Sequence, residues 1–197
     1  DSIVTVLSPD SEDIQTWLDG APFAIQRDQN GTGDAVAAAR DVVGGDDGIA
    51  IIMFADTPLV TASSLTALAD CVAAGAAIAI AGFEPADPTG YGRLVPDEDG
   101  GINRIVEHKD ATEKERRIAL CNGGIMAVRT PALFVWLSRI TNDNAKGEYY
   151  LTDIVELAVA DGQQVRHVAI AEEEVMGVND RLNLARAEAA LQSRLRI

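Results

Sequence analysis

Two patterns alternate along the chain. Short runs of small and β-branched apolar residues, Ile3–Ser8, Phe23–Gln26, Gly48–Asp56 and Ala77–Phe83, read as strands. Between them, Ser11–Gly20, Asp34–Val43 and Thr61–Ala76 carry capping residues and apolar positions at helical spacing. The strand–helix alternation predicts an α/β fold with a doubly wound, mostly parallel sheet and helices on both faces. Gly48–Asp56 (GIAIIMFAD) is apolar on both sides, which places it in the middle of that sheet. It ends at a carboxylate, Asp56, and Pro58 then forces a turn. Trp17 is expected to pack its helix onto the sheet.

The middle of the chain reads differently. Tyr91–Pro96 and Ile102–Glu107 are alternating runs around Asp97-Glu98-Asp99-Gly100-Gly101, a hairpin signal. Ala111–Arg117 reads as a short charged helix with a solvated face, and Asn122–Val128 as a strand entered through two glycines. Pro131–Ile140 is a helix with Trp136 in the core, Asn142–Gly147 a polar loop and Tyr149–Asp161 a helix. Val165–Ala171 is a strand, and Asp180–Leu195 a last helix. The whole of 1–197 reads as one domain, with residues 88–123 as a hairpin lobe over the site.

Composition narrows the partners. The 31 acidic against 16 basic residues give a net charge of −15, which disfavours a nucleic-acid surface and adhesion to anionic membranes. A small phosphorylated substrate stays open, because a divalent cation can stand between carboxylates and phosphates. No apolar run approaches the roughly 20 residues of a membrane helix. Cys71 and Cys121 lie in apolar segments and read as buried thiols in a cytoplasmic protein. The first residue is Asp1, not Met, which suggests a piece of a longer chain.

Polar and glycine-bearing segments fall where strands end. Gln26 and Gly31-Thr32-Gly33 follow one strand, and the glycines either admit a ligand or only make a tight turn. Asp56 either holds a metal ion or caps the next helix; Asn179 precedes the last helix and has the same two readings. An aspartate and an asparagine with open water positions suit Mg²⁺. Thr89-Gly90-Tyr91-Gly92 and Asn122-Gly123-Gly124 offer bare backbone. His108 and His167 lack the spacing of a zinc site, and no Gly-x-Ser-x-Gly elbow is present.

Taken together, QNGTG (29–33), FADTPL (54–59), GYGRL (90–94), IVEHKDAT (105–112), NGGI (122–125), NAKGEYYLTD (144–153) and GVNDRL (177–182) resemble one family. It is the uridyltransferase (pyrophosphorylase) domain of the bifunctional N-acetylglucosamine-1-phosphate uridyltransferase/glucosamine-1-phosphate acetyltransferase, GlmU. The resemblance implies a Rossmann-like nucleotidyltransferase fold and a reaction of UTP with N-acetylglucosamine 1-phosphate, for cell-wall precursor synthesis. It implies Gln26, Gly31 and Thr32 at the uracil and ribose, and Asp56 and Asn179 as catalytic ligands of Mg²⁺. Gly92, Glu107, Asn122, Tyr150 and Thr152 would bind the sugar phosphate. The family's opening loop, LAAGxGxRMxSxxPK, and its β-helix acetyltransferase domain have no counterpart here, and the full-length family is a homotrimer. Ala55 stands where glycine is usual, and Gly123 where threonine is common. The alternatives are another sugar-1-phosphate nucleotidyltransferase, a non-catalytic sugar-nucleotide binding module and a glycosyltransferase; the last would want a second acid beside Asp56.

Overall fold

A computed structural model describes residues 2–44 and 47–196. The first half forms β1 (Thr5–Leu7), α1 (Glu12–Trp17), β2 (Phe23–Ile25), α2 (Thr32–Ala38), α3 (Arg40–Val43), β3 (Ile49–Ile52), α4 (Ala62–Ala73) and β4 (Ile78–Phe83). The second half forms β5 (Arg93–Pro96), β6 (Ile102–Val106), α5 (Glu113–Arg116), β7 (Cys121–Arg129), α6 (Thr130–Leu137), α7 (Asp153–Ala160), β8 (Val165–Ala169) and α8 (Arg181–Leu195). A six-stranded sheet runs β6-β5-β7-β4-β8, with β3 also on β7, while β1 and β2 form a separate parallel pair.

β4 and β7 make the doubly buried centre. Ile78 and Ile80 of β4, with Met126 and Val128 of β7, enter a core layer closed by α6 and α7. Ala79, Ala81 and Phe83, with Ile125 and Ala127, enter the opposite layer against Leu68 and Val72 of α4. The alternation follows from the period of two along a strand. Helices therefore cover both faces, as expected. Trp136 lies in the first layer, as its pattern predicted, and its indole N–H donates to Asp161 Oδ2 at 2.9 Å.

The sheet is mixed: β4 and β8 are parallel, whereas β7 is antiparallel to β3, β4 and β5. The Gly48–Asp56 run is not its middle. Only Ile49–Ile52 is strand; it pairs with β7 on one side and with no strand on the other among the described residues. Ile51, Met53 and Phe54 are exposed. An apolar run specifies a strand but not its place in the sheet, and β4, with all six residues buried, holds the centre.

Three further expectations need correction. Trp17 is 85% exposed on a helix with no buried residue, so it does not pack α1 onto a sheet. The charged segment near Arg117 is not wholly solvated: Glu115 is buried, closes a capping box with Thr112 and pairs with Arg104. The helix expected from Tyr149 starts at Asp153, because residues 149–151 bond to another loop. Cys71 and Cys121 are free thiols, the second fully buried.

The β5–β6 hairpin is present and continues the main sheet through β5–β7. Its Arg93 is 1% exposed, and the guanidinium donates to the carbonyls of Tyr91 and Arg116. Gly123 and Gly124 sit at an irregularity of the β4–β7 ladder, where Ile80 faces Met126 but Gly82 faces Asn122. Gly124 has φ +78°, and a Cβ there would lie 2.9 Å from the Phe54 ring. Gly124→Ala is therefore expected to destabilise the fold by about 1–3 kcal/mol. Gly90→Ala, at φ +90° in open space, should cost only the backbone part, about 1 kcal/mol. Urea midpoints of the two variants measure the difference, and equal midpoints would discount the Phe54 contact.

Candidate active site

β3, β4 and β8 run in one direction, because β3 and β4 both oppose β7 and β8 parallels β4. Their carboxyl ends share an edge with the amino end of β7, the place where open α/β sheets receive ligands. Asp56 follows β3 there, and Gly177–Asn179 follow β8 and a 3₁₀ turn at Glu172–Val175. The Val178 N–H donates to the Asp56 carbonyl at 2.8 Å, which fastens the two segments together. A Cβ on Gly177 would lie 3.2 Å from Asn179 Nδ2 and 3.6 Å from Asp56 Oδ2. Both side chains thus face the same bare Cα. Two sequence-distant polar groups, a carboxylate and an amide that can turn its oxygen inward, form a set of hard oxygen donors. That set fits Mg²⁺, which keeps most of its sites for water and phosphate oxygens.

The next members lie around the β7 irregularity. The Phe54 ring covers Gly124, and Asn122 Oδ1 accepts from the Gly124 N–H at 3.0 Å. The Asn122 N–H donates to the Gly92 carbonyl at 2.9 Å. A bulge re-aims side chains at a sheet end, and here it sets the orientation of Asn122. A Cβ on Gly92 would meet only ordinary contacts, the nearest at 3.4 Å from Ile105, so packing does not demand glycine there. Gly123 is different: a Cβ would lie 2.7 Å from Val175 Cγ1. Val175 fills the space that a threonine at this position would need.

Glu107, at the end of β6, accepts from Thr152 Oγ1 at 3.4 Å, and burial raises its pKa. Tyr150 is raised by burial first and then by Asp110, Glu107, Glu148 and Asp153. Asp153 is pushed to about 6 by burial, then by Glu156, Glu107 and Asp110. The Asp110 carboxylate also accepts from the Ala145 N–H at 3.1 Å, tying the segment after β6 to the 142–148 loop.

The glycine loop joins this group through backbone. Tyr149 N–H donates to the Asn30 carbonyl at 2.7 Å, and Gly33 N–H donates to the Tyr149 carbonyl at 2.8 Å. Thr32 Oγ1 accepts from the Leu151 N–H at 3.0 Å. A Cβ on Gly31 would lie 2.6 Å from the Tyr149 carbonyl oxygen, at φ +116°, so glycine is required there by close approach of backbone. Gln26 Nε2 donates to the Gly31 carbonyl at 2.9 Å.

The contacts form an arc from Gln26 through Gly31, Thr32 and the 149–152 segment to Glu107. A second set runs from Gly92 through Asn122, Gly124 and Phe54 to Asp56, Gly177 and Asn179. β5 joins the two, since Arg93 pairs with Val106 beside Glu107. Every predicted site residue therefore belongs to one of two linked groups. Sequence motifs did not single out Asp34, Phe54, Asp110, Asp153 or Gly177 as individuals. All but Asp34 stand inside the motifs named above, and Asp34 follows the last residue of QNGTG directly.

A family described as Nucleotidyl transferase matches residues 12–174. The chain is 46% identical over 196 residues to the Bifunctional protein GlmU of Maricaulis maris (strain MCS10), covering 98% of this chain and 43% of that protein. It is 46% identical over 195 residues to the protein of the same name from Rhodospirillum rubrum, covering 98% and 44%. The chain spans well under half the length of these relatives. Among solved structures it is similar to UDP-glucose pyrophosphorylase complexed with UDP-glucose, at TM-score 0.68 and 18% identity over 92% of this chain and 70% of that one. The apo form gives TM-score 0.70 and 15% identity over 100% and 82%. These structures share the fold.

The acidic group around Asp153 has a pH signature. Its folded pKa of about 6 exceeds the ordinary 3.8, so the folded state binds the proton more tightly. Stability is therefore lost as pH rises from about 4 to about 6. Asp153→Asn removes that loss, and its urea midpoint should gain on wild type between pH 4 and pH 7. An advantage that does not change with pH would count against the buried carboxylate as its source.

Proposed function

The chain belongs to the nucleotidyl transferase family, and from that premise we propose that it joins UTP to N-acetylglucosamine 1-phosphate, giving UDP-N-acetylglucosamine and pyrophosphate. The observation that carries the reading is the convergence of Asp56 and Asn179 over Gly177, a group joined through β5 to the arc that runs from Gln26 to Glu107. Similarity to proteins named GlmU over 98% of this chain supports the choice of sugar and base.

In this reading Gln26, Gly31 and Thr32 receive the uracil and ribose. Glu107, Thr152, Tyr150, Asn122 and Gly92 receive the amino sugar and its phosphate, with carboxylate, hydroxyl and amide groups suited to sugar hydroxyls and an acetamido group. Asp56 and Asn179 would hold Mg²⁺, which neutralises phosphate charge when bound. The sugar 1-phosphate oxygen attacks the α-phosphorus of UTP; the bond to the β-phosphate oxygen breaks, and pyrophosphate leaves. No protein nucleophile is needed, so the side chains act by holding the two substrates in line. The reading places the enzyme in the cytoplasm, in cell-wall precursor synthesis, with residues 88–123 as a lobe at the sugar end and a homotrimeric full-length protein. Among the described residues no helix is long and apolar enough to cross a membrane.

Pyrophosphate release by the full-length protein, with UTP and N-acetylglucosamine 1-phosphate, tests the activity; no release overturns it. Asp56→Ala should lower Mg²⁺-dependent kcat by about 100-fold or more, with an unchanged thermal midpoint. Normal kcat would remove the metal role. Glu107→Ala should raise KM for the sugar phosphate by about tenfold, and for UTP much less. Equal rises would place Glu107 outside the sugar site.

A further inference from the structure

The amide of Gln26 is held in one orientation. Its Nε2 donates to the Gly31 carbonyl at 2.9 Å and to Asp34 Oδ2 at 2.8 Å. A carbonyl oxygen and a carboxylate can only accept, so both hydrogens of the amide must face them and Oε1 must face away. Asp34 is itself fixed: the same Oδ2 accepts from the Asn30 N–H at 3.1 Å, and the residue lies in the first turn of α2, where free N–H groups favour a carboxylate. No donor reaches Gln26 Oε1 among the described residues. The loop beneath is braced by the Asn30–Tyr149 and Gly33–Tyr149 backbone bonds.

We infer that Asp34 is a positioning residue for base selection: it presents Gln26 Oε1 as a fixed acceptor to the nucleotide base. The inference rests on the proposed reading that Gln26 faces the base. A fixed acceptor demands a donor. Uracil and thymine offer a ring N–H between two carbonyls. Cytosine has an unprotonated ring nitrogen at that position, so two acceptors would face each other with no proton between them. A site built to pair with a ring N–H rejects a ring that lacks it, because its own group is left unpaired. The Gly31 carbonyl alone holds one of the two amide hydrogens. Without Asp34 the second is released, and the amide can turn its nitrogen toward a cytosine.

The test uses the full-length protein and its Asp34→Ala and Asp34→Asn variants with UTP, dTTP and CTP. The UTP-to-CTP ratio of kcat/KM should fall about tenfold in Asp34→Ala. It should largely survive in Asp34→Asn, whose amide oxygen can accept the same two hydrogen bonds. dTTP should lose as much as UTP in Asp34→Ala, since it carries the same imide edge; a loss confined to UTP would move the selection to the ribose and overturn the inference. So would an equal loss for UTP and CTP, which marks a merely structural aspartate, or a wild-type protein without preference for UTP. Calorimetric affinities for UDP and CDP on the same three proteins read the ratio without turnover. An inactive wild type would overturn the proposed reaction, and those affinities would still decide the role of Asp34.

Discussion

β7 is the strand on which the others depend. On one edge it pairs with β4 along most of its length. On the other it pairs first with β5, at Cys121, and then with β3, from Met126 to Arg129. Its ladder with β4 changes register between Ile80 and Gly82. The change falls at Gly123 and Gly124, where a side chain would strike Val175 or the Phe54 ring. The irregularity turns Asn122 toward Gly92 and leaves room for Phe54, and with it the turn that carries Asp56. Core packing and site geometry therefore meet in the same two glycines.

The site has its own electrostatic layout. Asp56 and Asn179 converge on Gly177 at one end. Glu107, Asp153 and Tyr150 form a partly buried acidic group at the other, where burial first, and then the charge of neighbours such as Asp110, favours their protonated forms. One end suits a cation with phosphates; the other suits neutral hydroxyl-bearing groups, which carboxylates can hold without needing a counter-charge.

Much of this was legible in the chain. A continuous apolar run gave β4, alternating runs gave β5 and β6, and the segment entered through two glycines gave β7, all close to their bounds; the Asp-Gly-Gly tip gave the hairpin, because these signals are local. The place of Ile49–Ile52 in the sheet was not legible: burial of a strand depends on what packs beside it, and an apolar run is the same at an edge. Trp17 failed for a related reason, since a large aromatic marks core only when a partner surface exists. Residues 149–151 looked helical because their propensity was read without the 30–33 backbone that captures them. At the site, motif membership found the residues with exposed chemistry. Asp34 escaped because an acid in a first helical turn has an ordinary capping explanation, and only the Gln26 amide eight residues earlier gives it another.

The ladder between residues 30–33 and 149–151 has a thermodynamic consequence. The three bonds that shape the glycine loop are the same three that shape the backbone before Thr152. Neither segment can be ordered independently of the other, so the entropy of ordering is shared. A ligand that ordered one segment would prepay that cost for a ligand at the other. By linkage the favour is returned in equal measure, whatever the order of arrival. Cooperativity between the two halves of this site thus requires no moving domain, only a short stretch of backbone that belongs to both.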